Sequence, residues 1–223
     1  MHRRTSKLKA LATLFVLLAL TPADVSAQSR NAVTSSPFSS DPYQVGERLS
    51  YNVSFSSFPT AAHVELLVTG RGIYFGREGV ELRAHVETMG VVSAALYAIN
   101  NDYVTYVDPA TGLPYRAQQT IREGARFAEV IRDFNQPAGA SATPAKQTAA
   151  GAFPGAFDFV SALFRLRALP LAQGTTYALS VQNGEAMYDA ELKVTGRELL
   201  KTNVGSSNTI ATQLRVRGNS SAD

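Results

Sequence analysis

Apolar residues return at every second position through much of this 223-residue chain, and that period limits what it can fold into. Between residues 45 and 55 they fall on odd positions, Val45, Leu49, Tyr51, Val53 and Phe55, with Glu47 breaking the series near its start. Two later runs alternate on even positions: Ala62, Val64, Leu66 and Val68, then Val80, Leu82, Ala84 and Val86. Successive side chains of a strand point to opposite faces, so each run has one apolar face and turns His63, Glu65, Arg83, His85 and Glu87 toward water. One-sided strands joined by short turns build antiparallel sheets, whereas strands of a parallel sheet, covered on both faces, read as continuous apolar runs.

Turn chemistry supports the same reading. Arg122-Glu123-Gly124 separates a strand ending near Ile121 from one over residues 127–134. Asn183-Gly184 offers residues that tolerate positive φ in a tight hairpin, joining Tyr177, Leu179 and Val181 to Tyr188, Ala190, Leu192 and Val194. A last strand is expected over 210–216. Residues 91–97 fit a helical turn or another strand equally. Residues 135–155 are mostly Ala, Gly, Pro, Ser and Thr, which bury too little surface to offset ordering entropy, so a mobile loop is expected there. After it, Phe157, Val160, Ser161, Phe164 and Ala168 follow helical spacing, with Asp158 near the start and Pro170 past the end; this predicts one short packed α-helix over about 156–168. The expected fold is mainly β: a single antiparallel curved sheet, or a partly open barrel or sandwich, of about 8–10 strands.

Residues 1–27 read as a cleavable export signal. Arg3, Arg4, Lys7 and Lys9 precede an apolar run over residues 10–20, and Val25-Ser26-Ala27 suits cleavage between Ala27 and Gln28. That run is half the roughly 20 residues a membrane-spanning helix needs, so no transmembrane anchor is expected after cleavage. Thr5, Ser6 and Lys7 follow the paired arginines where twin-arginine export favours apolar residues, which points to the general secretory route. The protein is therefore expected in the periplasm or secreted. With no cysteine in the chain, neither a lipoprotein anchor nor a disulfide is available. The leader holds four of the 21 basic and one of the 18 acidic residues, leaving 17 of each. A neutral mature chain lacks the basic excess that nucleic-acid binding requires. Residues 28–41 are expected to be a flexible lead-in, residues 42–217 a single β-rich domain, and 218–223 a tail.

No residue pattern states a reaction. His63 and His85, the histidines beyond the leader, occupy solvent-side positions without the spacing of a metal motif. No G-x-S-x-G elbow, phosphate-binding glycine loop or S-x-x-K motif occurs. Asp189, Glu191 and Lys193 share one strand face, where two carboxylates could do acid/base work but a solvated charged face is the ordinary outcome. Neither catalytic residues, metal ligands nor a cofactor are assigned. The nine tyrosines offer more: Tyr51, Tyr74, Tyr103, Tyr106, Tyr177 and Tyr188 lie in strand-like segments, and rings with hydroxyls lining a concavity would suit an amphipathic ligand.

Five segments, in order, resemble an exported bacterial family known as domain of unknown function 3108. They are the stretch from Tyr43-Gln44-Val45-Gly46-Glu47-Arg48 to Leu49-Ser50-Tyr51; Leu96-Tyr97 with residues 103–108 and Leu113-Pro114; Arg122-Glu123-Gly124; Asp158 with residues 161–167 and Pro170-Leu171; and Val194-Thr195-Gly196-Arg197-Glu198. The resemblance implies an exported antiparallel β domain curving around a helix, and brings no catalytic residues. Ala61-Ala62 stands where the family usually has Ala-Gly. Family members continue with a further strand pair, so an open sheet edge is implied here.

These observations point to an exported, non-enzymatic cell-envelope protein binding a lipid or other amphipathic component, such as part of an envelope glycan. A structural or adaptor domain pairing with another envelope protein through an open sheet edge is the alternative. An envelope hydrolase is the third reading, and it requires acidic residues to converge in a cleft.

Overall fold

The computed structural model describes residues 42–55, 58–134, 136, 150–184, 186–202 and 205–219. The leader with Ala27 and Gln28, the lead-in over 28–41, residues 137–149 of the expected loop and residues 220–223 lie outside the described residues. The fold is mainly β. Strands β1 (Arg48–Phe55), β2 (Phe58–Tyr74), β3 (Arg77–Thr88), β4 (Asn100–Val107), β5 (Pro114–Glu123) and β6 (Arg126–Asp133) form a six-stranded antiparallel sheet in sequence order. Strands β7 (Ala150–Phe157), β8 (Thr176–Asn183), β9 (Ala186–Thr202) and β10 (Gly205–Asn219) form a second sheet, ordered β10-β9-β8-β7. Neither sheet closes into a barrel among the described residues.

The alternation decides which face of the first sheet is covered. Val53 of β1, Ala62, Leu66 and Val68 of β2, and Val80, Leu82 and Ala84 of β3 are buried on the inner face. Their neighbours in sequence fall on the outer face, where register sets Glu65 opposite His85 and His63 opposite Glu87. Glu47, which broke the pattern, lies before β1 and holds the Arg167 guanidinium at 2.5 Å.

Helix α1 (Phe159–Arg167) joins β7 to β8 and fills the space between the sheets. Val160 and Phe164 pack with Leu66, Val68, Leu82 and Val107 of the first sheet. Ala162 packs with Phe157, Leu179 and Ala190 of the second, with Leu166 against the same cluster. Each pair is four residues apart, and the two pairs lie on opposite helix faces, so one helix serves two cores. Asp158 caps it: its carboxylate accepts from Ser161 N–H at 2.7 Å, and Ser161 Oγ accepts from Asp158 N–H at 3.1 Å. Two acidic or hydroxyl side chains thus satisfy N–H groups that the first helical turn leaves orphaned.

Two features depart from the expectation. Helix entry is forced by a parallel pair, β7 with β8, in a domain otherwise antiparallel. Strand β7, whose sequence Ala-Gly-Ala-Phe-Pro-Gly-Ala-Phe carries no alternation, takes up the end of the segment read as a loop. Residues 92–96 (Val92–Leu96), where two readings were open, form a single π-helical turn. Hairpins turn at both expected places, with Gly184 at φ 66° and Gly124 at φ 59°, but Asn183 is the last residue of β8, paired with Ala186, and not a left-handed turn residue.

Candidate functional site

The six tyrosines singled out from the sequence are distributed over both sheets. Tyr51 is half-buried on β1 against the inner core. Burial raises the pKa of its hydroxyl, with Arg167 opposing and Glu47 reinforcing. Tyr103 packs against the same core from β4 and accepts a 3.2 Å bond from Asn101 Nδ2. Tyr177, in the second sheet, packs with Leu192 and Val194 and donates to the carbonyl of Pro170. Tyr188 is half-buried on β9, opposite Gly218. Of the six, the structure brings Tyr74 and Tyr106 together, with ring centroids 5.0 Å apart.

That contact belongs to a larger cluster which alternation did not single out. Tyr115 lies 6.4 Å from Tyr106, and Phe75 meets Tyr106 edge-on at 5.0 Å. Arg77 stacks over Tyr115 and Arg116 over Phe75, each at 4.5 Å from the ring centroid. Glycines make the floor. A Cβ at Gly70 would lie 2.9 Å from the Tyr74 hydroxyl, and one at Gly79 only 3.1 Å from Tyr115 Cζ. The signal was Gly70, Gly72 and Gly79 in strands that should carry side chains, since a glycine within a strand marks close approach from above. A break in register between Tyr106 and Val107 brings Tyr115 to the same side as Arg116. The rings fill the space between them, and burial raises the Tyr106 and Tyr115 hydroxyl pKa values; beside Tyr106 the Glu81 carboxylate adds to the rise.

Further along the outer face lies a polar constellation. His85 Nδ1 is 2.8 Å from Asp102 Oδ1, and its Nε2 is 3.8 Å from Glu87 Oε2. Arg122 grips the other Asp102 oxygen at 2.7 Å. Burial works against the Asp102 charge, but bonds from Arg122 and His85 outweigh it and hold the carboxyl below its usual range. His63 is 3.1 Å from Asn52 Oδ1. Two shallow depressions flank this region, about 270 Å³ beside Glu65, Arg83, His85 and Asp102, and about 300 Å³ beside Glu87, Asn100 and Arg122. No hydroxyl or amine is hydrogen-bonded to His85, and no set of three metal-ligating side chains gathers, among the described residues.

On β9, Asp189 and Glu191 lie opposite Arg217 and Arg215 of β10. Each carboxylate thus has an opposite charge at the directly paired position, and the two sit on a strand face rather than at a cleft.

The last feature is an edge. Among the described residues strand β6 pairs with β5 alone, in a register unbroken from Arg116 opposite Asp133 to Glu123 opposite Arg126. Phe127 and Ile131, on one face of it, are 64% and 61% exposed. The other free edge of this sheet, β1, is interrupted between Val53 and Phe55, and β10 is interrupted between Ala211 and Thr212.

A helix-filled pair of sheets, with an aromatic cluster and a polar constellation on the outer face of the first, defines a mainly β domain. Residues 50–221 match the sequence model of the family described as "Protein of unknown function (DUF3108)", and the chain belongs to that family. No curated protein and no solved structure matches it.

Proposed function

We propose that this chain is an exported, non-enzymatic envelope protein that works as an adaptor, accepting an extended segment of another envelope protein as a seventh strand beside β6. One observation carries the reading: β6 is a regular, unbulged edge of eight residues with no proline, and it exposes Phe127 and Ile131 to solvent. Monomeric proteins blunt such edges with bulges, prolines or charged side chains, because unpaired N–H and C=O groups template another strand; β6 lacks the first two, and Arg126 and Asp133 of its charged residues are tied to Glu123 and Arg116 of β5. Main-chain bonds to β6 would supply affinity. Phe127 and Ile131, on either side of Glu129, would select apolar residues spaced by four with a basic or polar residue between them. Export rests on the leader pattern of residues 1–27. An amphipathic ligand is less favoured, because the tyrosines proposed to bind it pack against core, backbone or one another.

The test uses the absence of native cysteine. Single cysteines at positions 127, 129 and 131, each carrying a photocrosslinker, should capture one envelope protein in intact cells. Mapped crosslinks should step along alternate residues of a single extended segment. Crosslinks scattered over several proteins, or to unrelated surfaces of one, would remove the strand-addition reading.

A further inference from the structure

The β2–β3 hairpin ends in a tip that exposes an apolar side chain on each face, Ile73 beside Glu78 on one and Phe75 near Arg77 on the other. Its last pairs, Gly72 opposite Gly79, Ile73 opposite Glu78 and Tyr74 opposite Arg77, extend past the strands that flank the rest of the hairpin. Adjacent strand residues point to opposite faces, so Ile73 lies on the side away from Tyr74. Phe75 leans the other way, toward Tyr106 and Arg116. Ile73 is 72% exposed and Phe75 57% exposed.

The turn holds Phe75 at φ 54° and Gly76 at φ 78°. Positive φ at both central positions is the type I′ pattern, for which Asn-Gly is the favoured pair. Phe75 is the one non-glycine residue with positive φ among the described residues. The ring touches Tyr106 and Arg116 yet leaves more than half of its surface in water, in a backbone conformation that asparagine would adopt more easily.

We propose that this tip docks onto a bilayer surface containing anionic lipid, with Phe75 and Ile73 entering the upper acyl region and Arg77 and Arg116 meeting headgroup phosphates. A protein partner would cover one face of a hairpin; a surrounding apolar medium covers both. Arg77 pairs with no carboxylate among the described residues, resting instead on the Tyr115 ring, and Arg116 shares its charge with Asp133 at 3.0 Å. Glu78 is the acidic residue at the tip, while Glu81 is occupied by Arg83 at 2.8 Å. Behind the apex, half-buried Tyr74 presents a ring with a hydroxyl at the depth where aromatic side chains favour a membrane interface, backed by the buried Tyr106. Two apolar side chains and two arginines make a weak, reversible attachment.

The chain has no tryptophan, so Phe75→Trp creates a unique fluorophore at the apex. With vesicles of phosphatidylglycerol and phosphatidylcholine, its emission should shift to the blue and be quenched by lipid brominated near the top of the acyl chain. Pure phosphatidylcholine vesicles should produce much less of either effect. Phe75→Asn should lower partition into anionic vesicles about tenfold, as expected for losing one buried aromatic side chain. Ile73→Ser, outside the aromatic cluster, should lower it as well, and Arg77→Gln should weaken the preference for anionic lipid. Unchanged tryptophan emission on anionic vesicles, or undiminished partition of both Phe75→Asn and Ile73→Ser, would overturn the proposal. Neither outcome depends on what pairs with β6.

Discussion

Thr105 Oγ1 donates a 2.5 Å hydrogen bond to Asp158 Oδ2, linking β4 to the residue that starts helix α1. Both residues are buried, and the second Asp158 oxygen accepts from Ser161 N–H and Oγ–H at 2.7 Å each. The joint satisfies a desolvated carboxylate and fixes the helix against the first sheet with the same three bonds.

Thr105→Val keeps the shape and removes the donor. Leaving a buried acceptor without its partner costs about 1–3 kcal/mol. Asp158→Ala should cost more, because the cap is lost, roughly 1 kcal/mol by itself, and the Thr105 hydroxyl is stranded too. Urea denaturation measures both; a Thr105→Val protein as stable as the parent would show that the joint contributes nothing.

Burial is the leading influence on Asp158, and it pushes the carboxyl pKa up despite bonds from Thr105 and Ser161 that favour the charge. The folded protein therefore holds this proton more tightly than the unfolded chain, whose carboxyl titrates near about 3.9. Stability from this group declines as pH rises from that value through the folded one, and levels off above it. Asp102 has the opposite sign: its lowered pKa gives stability that is present above the unfolded value and lost as pH falls through the folded one. Thermal midpoints of the parent and Asp158→Asn across this range should differ most at the high-pH end, with the gap closing toward acid.

Two glycines should separate steric cost from backbone strain. Gly124 has φ 59° with open space where a Cβ would stand, so Gly124→Ala should cost only the left-handed conformation, about 1–2 kcal/mol. Gly112 has φ 72° with the Tyr43 hydroxyl in the way and Arg165 Cδ at 3.4 Å, so Gly112→Ala should lose clearly more. Equal losses would mean that Tyr43 yields freely.

Phe164 is buried beside Tyr43, ring centroids 6.5 Å apart, and closes the first core from the helix side. Phe164→Ala should destabilise by about 3–5 kcal/mol. Phe127→Lys, on the exposed face of β6, should change stability by less than about 0.5 kcal/mol. Calorimetric or denaturant unfolding of the two variants provides the contrast.

The strands of the first sheet were legible because one face of each meets the core and the other meets water, so inward positions such as Leu66, Val68 and Leu82 repeat every two residues. The helix was legible from Asp158 and its spaced apolar residues, but its second buried face, Ala162 with Leu166, was missed. Strand β7 left no period to read, its sequence holding Gly151, Pro154 and Gly155. The Phe75-Gly76 turn carried no ordinary turn residue at its first position. The aromatic cluster could not be assembled from spacing, because Tyr115 reaches Gly79 through a register break between neighbouring strands. Exposure along β6 was equally invisible, since alternation there, with Phe127 and Ile131, looks the same whether or not a further strand covers it.

The order of strands in the first sheet is also their order in the chain. A polypeptide emerging N-terminus first can therefore zip β1 to β6 one hairpin at a time, each pairing local and none awaiting a distant segment. Helix α1 arrives only after that sheet is complete, and until then Leu66, Val68 and Leu82 face solvent without their lid. The vulnerable moment in the life of this protein falls between the emergence of Asp133 and the docking of Phe164, a window in which a half-finished molecule displays a greasy sheet face and an unpaired edge together.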